Sequence, residues 1–161
     1  SRYKWLLVIG LVFCMIGDYT LQWFIIGLSS FLIGHLFYIG AFRSVRTAPI
    51  PRLVQWGLPL YGLLMMLWFA TTLLDRGDIV LSIAVCAYIT VIVTMGWQAF
   101  RTRQPFIITG ALLFILSDSV LAVNRFITAL PFSHEMIMLT YYGAQLFLML
   151  SLYKQSHKVV Q

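Results

Sequence analysis

Six runs of roughly twenty mostly apolar residues follow one another along this chain, separated only by short polar interruptions. A helix rising about 1.5 Å per residue crosses the ~30 Å hydrocarbon layer of a bilayer in such a run. Lipid offers no partner to a free backbone N–H or C=O, so isolated strands and loops are excluded there. The runs read as helices over Tyr3 to Tyr19, Leu21 to Phe42, Leu53 to Leu74, Ile79 to Phe100, Phe106 to Phe126 and Glu135 to Tyr153. Their breaks have local causes. Ala48-Pro49-Ile50-Pro51 cannot continue a helix. Asp75-Arg76-Gly77-Asp78 is a tight polar turn, Arg101 to Pro105 ends one helix and starts the next, and Pro131 lies in the break after Asn124. The expected fold is all-α: one polytopic transmembrane helix bundle, residues 1–161, with antiparallel neighbours joined by short connections.

With 61% hydrophobic and 10% charged residues spread over the whole length, no soluble domain is hidden at either end. The formal charge of +6 would suggest nucleic acid in a soluble protein. Here the cations lie between apolar runs and form no basic face with interleaved aromatics, so no nucleic-acid partner is expected. They read instead as topology and contact with anionic headgroups. Arg2, Lys4, Arg43, Arg46, Arg52, Arg101, Arg103, Lys154 and Lys158 share one side, and only Arg76 and Arg125 fall on the other, with Asp75, Asp78 and Glu135. The positive-inside rule then places both ends in the cytoplasm, and the expected location is a bacterial inner (plasma) membrane. Cys14 and Cys86 have no metal or redox spacing and read as packing residues. The chain opens on Ser1 and enters an apolar run without a cleavable leader, so a segment removed by processing or truncation is expected.

Against this background a few polar residues stand out. Asp118, in Ser117-Asp118-Ser119, lies about 20 Å up the fifth helix, where a carboxylate is costly and is a functional candidate by default. Asp18, in Ile16-Gly17-Asp18, reaches a similar height on a parallel helix, so the two acids are expected to share a site. His35 lies about 10 Å deeper on the second helix, a gap that tilt can narrow. Its helix carries a stripe of Gly27, Phe31, Gly34 and Tyr38, and Ser30 with Gly34 makes a small-xxx-small contact face. The plainer alternative for His35 is a packing residue bonded to a carbonyl. On the fifth helix Gly110, Ser117 and Asn124 recur every seven residues, and Arg125 stands about 10 Å from Asp118 on the same face. Arg125 can offer its fork to a phosphate or to Asp118, or simply snorkel to headgroups. Tyr141, Tyr142 and Gln145 either serve the site or join helices.

What chemistry do these residues allow? There is no G-x-S-x-G elbow, and of three histidines only His35 is within the membrane, which leaves no zinc set and no metal site expected. Paired carboxylates remain: one kept protonated as a general acid, one ionised to steady a cation or activate water. Proton-coupled transporters use intramembrane acids as well.

Gly17-Asp18, then Gly27-x-x-x-Phe31-x-x-Gly34-His35-x-x-Tyr38, then Ser117-Asp118-x-x-Leu121-Ala122, then Tyr141-Tyr142-x-x-Gln145 resembles the YhhN-like lysoplasmalogenase family of membrane proteins. The likeness runs from the first helix to the last. It implies an eight-helix membrane hydrolase, so two more N-terminal helices, the second with a Lys-Pro pair, are expected beyond the six in this chain. It implies cleavage of the vinyl ether bond of lysoplasmalogens to a fatty aldehyde and a glycerophospho-alcohol, with a lysophospholipid substrate and membrane lipids as partners. The family's motif aspartates match Asp18 and Asp118, and its motif histidine matches His35. Acid cleavage of a vinyl ether starts with protonation at carbon, and an ionised carboxylate steadies the resulting oxocarbenium ion, as in glycoside hydrolysis. No cofactor, metal or redox, is required. His35 and Tyr38 would relay protons; Asn124, Arg125, Tyr141, Tyr142 and Gln145, with Tyr38, would hold headgroup or water. Two alternatives predict otherwise. A proton-coupled carrier moves its ligand intact, and a scaffold uses the same residues only to fix packing.

Overall fold

The computed structural model describes residues 1–45 and 47–158. Arg46 and the side chain of Lys158, two of the cations assigned above to one side, lie outside the described residues. Six helices follow in order: α1 Arg2–Thr20, α2 Phe24–Arg43, α3 Arg52–Asp75, α4 Ile79–Thr102, α5 Pro105–Phe126 and α6 Ser133–Lys158. All six are long and apolar enough to cross a membrane, and this is an integral membrane protein.

Each helix matches one apolar run, with most ends agreeing to within two residues and the second and sixth helices departing further. The second begins at Phe24 rather than Leu21, because the backbone turns through Leu21 to Trp23, where Trp23 N–H donates to Thr20 O at 2.9 Å. The sixth extends beyond Glu135 to Tyr153 in both directions. Its added residues are mostly polar, so a hydropathy reading sees only the part that sits in lipid. The chain enters α6 through Phe132, held at a φ of 56°. Asp78 caps α4 by accepting from Leu81 N–H at 3.1 Å, and Pro105 starts α5, where its missing N–H costs nothing.

Two seams of small residues fix how the helices face each other. Along α1 and α2 the backbones nearly touch. A Cβ added to Gly34 would lie 2.9 Å from Cys14 Sγ and 3.0 Å from Gly10 O, and Ser30 Oγ donates to Phe13 O at 2.8 Å. The Ser30/Gly34 face therefore meets α1. Along α5 and α6, Gly110 sits against Leu148 and Ser117 Oγ donates to Ile137 O at 3.3 Å. The Gly110, Ser117 stripe thus faces α6. Asp118, one residue on, is turned by about 100° toward α4.

The packing order places α4 at the junction. It touches α2, α3 and α5, whereas α3 is held through α4, brushes α5 and, among the described residues, meets α2 only through side chains such as Phe24 and Leu28. Helices α1 and α6 meet lightly, joined at the end carrying both termini by Tyr3 Oη to Ser151 Oγ at 2.5 Å. One core fills the centre around Phe114, Tyr38 and Met95; a smaller one lies under α3 around Phe69, Leu73 and Phe126. Arg2, Lys4, Arg43, Arg52, Arg101, Arg103 and Lys154 gather at the terminal end; Arg76 and Arg125 lie at the opposite end with Asp75, Asp78 and Glu135.

Candidate functional site

Three helices each contribute one polar side chain to a single point. Asp118 comes from α5, about 20 Å from that helix's start at Pro105. Tyr88 comes from α4 and His35 from α2. The Tyr88 hydroxyl donates to Asp118 Oδ2 at 2.6 Å and lies 2.9 Å from His35 Nε2. His35 Nε2 is 3.5 Å from the same carboxylate oxygen. In the Nε2–H tautomer His35 donates to Tyr88 and Tyr88 to Asp118, a chain of donors ending on the acid. His35 is wholly buried, with its ring edge-on to Phe114 at 5.1 Å, and its Nδ1 has no partner among the described residues. The Asp118 side chain keeps 17% of its surface exposed.

That exposed surface opens on a cleft between α2, α3, α4 and α5, whose empty space is ≈ 670 Å³ when counted out into its open mouth. Its walls are apolar: Phe24, Leu28 and Phe31 from α2, Met65 from α3, Ile92 from α4, Ile115 from α5. Only Tyr61, Tyr88, Asp118 and Ser119 break the lining, and Tyr61 is hydrogen-bonded to Ser119 across from α3 to α5. At the end opposite the termini, Phe24, Phe69 and Phe126 cluster edge to face, with Phe24 5.4 Å and Phe69 6.0 Å from Phe126. Arg125 lies 4.5 Å over the Phe24 ring.

The other expected site residues are distributed differently. Tyr38 Oη donates to Gln145 Oε1 at 3.0 Å, Gln145 Nε2 to Tyr141 Oη at 2.9 Å, and Tyr141 Oη to Cys14 O at 3.0 Å. This second chain ties α2, α6 and α1 together and does not line the cleft. Phe114 stands between the two networks, packed on His35, Tyr38 and Tyr141 alike. Asn124 Oδ1 accepts from Leu130 N–H at 2.9 Å and so shapes the turn after α5. Tyr142 is exposed, in a shallow groove with His134. Asp18, half-buried in the last turn of α1, makes no side-chain hydrogen bond among the described residues and is not part of the cleft wall. The structure thus joins Asp118 to His35 but does not bring Asp18 to them. The reason is rotation: Gly17 faces Phe31 of α2, so Asp18 points about 100° away from that contact.

Tyr88, Tyr61 and Ser119 were not among the expected site residues. The available signal was depth. Tyr88 lies nine residues into α4, about 13 Å from the helix start and too deep for an interfacial belt. No group of three His, Cys, Asp or Glu among the described residues is placed to hold a metal.

A model of the YhhN family matches residues 1–152. Among curated proteins, the chain is 37% identical over 150 residues to lysoplasmalogenase TMEM86B of Mus musculus, covering 91% of this chain and 63% of that protein. It is 34% identical over 158 residues to lysoplasmalogenase TMEM86A of Homo sapiens, covering 89% and 63%. It is 33% identical over 138 residues to a lysoplasmalogenase of Mycobacterium tuberculosis, covering 77% and 51%. The chain therefore spans just under two thirds of the length of the mammalian relatives. No solved structure matches it.

Proposed function

Since the chain belongs to the YhhN family, we propose that the protein is a membrane hydrolase that opens the vinyl ether bond of lysoplasmalogens, releasing a fatty aldehyde and a glycerophospho-alcohol. The names carried by its relatives support the substrate. The observation that carries the chemistry is one carboxyl group, Asp118, set in an otherwise apolar cleft and reached by a tyrosine hydroxyl.

A vinyl ether is cleaved by giving a proton to its β-carbon, which leaves an oxocarbenium ion at the carbon bonded to oxygen. Asp118, in its acid form, supplies that proton. The carboxylate it becomes then lies beside the new cation, where low dielectric makes the attraction strong. Water adds, giving a hemiacetal that collapses to aldehyde and alcohol. The reading differs from the paired-acid scheme in one respect: Asp118 acts alone, first as acid and then as counter-charge, while Asp18, outside the cleft wall, takes no part in the proton transfer. Arg125, held over Phe24 at the cleft's end, takes the phosphate. Tyr38, Tyr141 and Gln145 serve by holding Phe114, and through it His35. Asn124 serves by setting the turn beside Arg125, and Tyr142 stays in its own groove with His134, apart from the cleft wall. The lipid partner is a lysophospholipid drawn from the membrane itself.

We place the protein in a bacterial inner membrane with both described ends in the cytoplasm, on the strength of the seven described cations at that end. The cleft's aromatic cluster then lies toward the outer leaflet.

Purified protein in detergent, given a lysoplasmalogen, is expected to release fatty aldehyde; the Asp118→Asn variant is expected to release none. A proton-coupled carrier is the second reading, favoured by the same chain of His35, Tyr88 and Asp118. It would bind the lipid and return it intact.

A further inference from the structure

The hydrolysis proposed above leaves a negative charge on Asp118 in the middle of a membrane, and the cleft walls around it are hydrocarbon. What makes that charge tolerable decides how readily the proton leaves. We propose that Tyr88, held in place by His35, is the group that stabilises the Asp118 carboxylate as it forms, and that the two are positioning residues for the proton-transfer step. This rests on the hydrolytic reading and deepens it.

The geometry is specific. Asp118 Oδ2 is engaged by the Tyr88 hydroxyl at 2.6 Å, so Oδ2 is the accepting oxygen and Oδ1 is the one that can carry a proton toward substrate. His35 Nε2, 2.9 Å from the tyrosine oxygen, aims that hydroxyl at the carboxyl group and polarises it. His35 is not part of the cleft wall; among the described residues its Nδ1 has no partner and its one short side-chain hydrogen bond is to Tyr88. A histidine kept only for packing would not need to set Nε2 on the hydroxyl that engages Asp118.

The step balances with these groups alone. The O–H bond of Asp118 breaks and a C–H bond forms with the π pair of the enol ether. The ether oxygen's lone pair closes to the oxocarbenium ion, and the electron pair of the broken O–H bond stays on the carboxylate. The hydrogen bond from Tyr88 strengthens at that moment, because its acceptor has become an anion. A water lone pair then bonds to the cationic carbon, and the water's proton returns to Asp118. In the collapse Asp118 gives a proton to the glycerol oxygen as its bond to carbon breaks with the pair. The lone pair of the hemiacetal hydroxyl oxygen closes to C=O, and Asp118 takes back the proton of the protonated aldehyde so formed. No proton need leave the imidazole.

Such a donor acts on the transition state more than on the bound substrate, which separates it from a residue that merely shapes the cleft. Aldehyde release by the purified protein is expected to fall about 100-fold in kcat for Tyr88→Phe with KM unchanged, a loss typical of one oxyanion donor. His35→Asn is expected to lose about 10-fold, since it acts through Tyr88. Replacing Tyr88 by 3-fluorotyrosine keeps the shape and makes the phenol a stronger donor; kcat is expected to rise about twofold. This variant decides the matter if Tyr88→Phe fails to fold. Wild-type kcat in Tyr88→Phe, or no change on fluorination, overturns the role of Tyr88 while an inactive Asp118→Asn still upholds the hydrolytic reading. Full activity in Asp118→Asn overturns that reading itself.

Discussion

At the scale of single residues, side chains that share a polar character have separate jobs. Gln145 makes the test case, because it was expected to bind headgroup or water and is found instead bonded to Tyr38 and Tyr141. Gln145→Leu strands the buried Tyr38 hydroxyl and removes one of the two hydrogen bonds of Tyr141, so it should cost about 1–3 kcal/mol of stability, read as a lower melting temperature in detergent, with KM unchanged. A raised KM at unchanged stability would return Gln145 to the substrate. Arg125→Gln should behave the opposite way: KM for a lysoplasmalogen should rise about 10-fold with kcat and melting temperature held, because the guanidinium rests on Phe24 and, among the described residues, pairs with no carboxylate. Asp118 was legible in the sequence because a charge inside an apolar helix has no bland explanation in lipid. Tyr88 was not, because tyrosine is ordinary in membrane proteins and its significance comes wholly from its neighbours on α2 and α5. Asp18 marks the limit between the two. Its height along α1 could be estimated from helical rise, but the direction it faces depends on which side of α1 the Gly10 and Gly17 seam turns toward α2.

At the scale of helices, the apolar runs made all six spans readable, since a bilayer imposes length and polarity together. Helix ends beyond the lipid, such as the last turn of α6, carry no such imprint. Nor does the order of packing: that α3 leans on α4 and leaves a cleft beside α2 follows from side-chain fit, not from hydropathy. The α1–α2 seam is the element on which the site most depends, because Gly34 immediately precedes His35. Gly34→Ala should push the two backbones apart and cost about 1–3 kcal/mol, since the new methyl would sit 3.0 Å from Gly10 O. Aldehyde release should fall with it as His35 moves. Gly57→Ala on α3, where nothing lies within 4 Å, should instead hold or raise the melting temperature. Equal effects from the two would show that the close approach of α1 and α2 is not what holds His35.

At the scale of the whole molecule, the two ends differ in charge and the cleft differs in depth. Seven described cations cluster with the termini and only Arg76 and Arg125 lie at the other end, where the rings of Phe24, Phe69 and Phe126 gather. A single cysteine introduced at Lys154 in a background without Cys14 and Cys86 should resist an impermeant maleimide until cells are opened, whereas one at Arg76 should label from outside. The reverse pattern would invert the topology and move the cleft's aromatic end to the cytoplasmic leaflet. What the bundle does is decided more directly by following a lipid through it. Purified protein in detergent micelles, with no gradient to drive transport, is incubated with a lysoplasmalogen and the free aldehyde is measured over time beside the Asp118→Asn variant. Repeated turnover by the wild type and none by the variant is the expected result; intact lipid in both, or equal release from both, contradicts a proton delivered by Asp118.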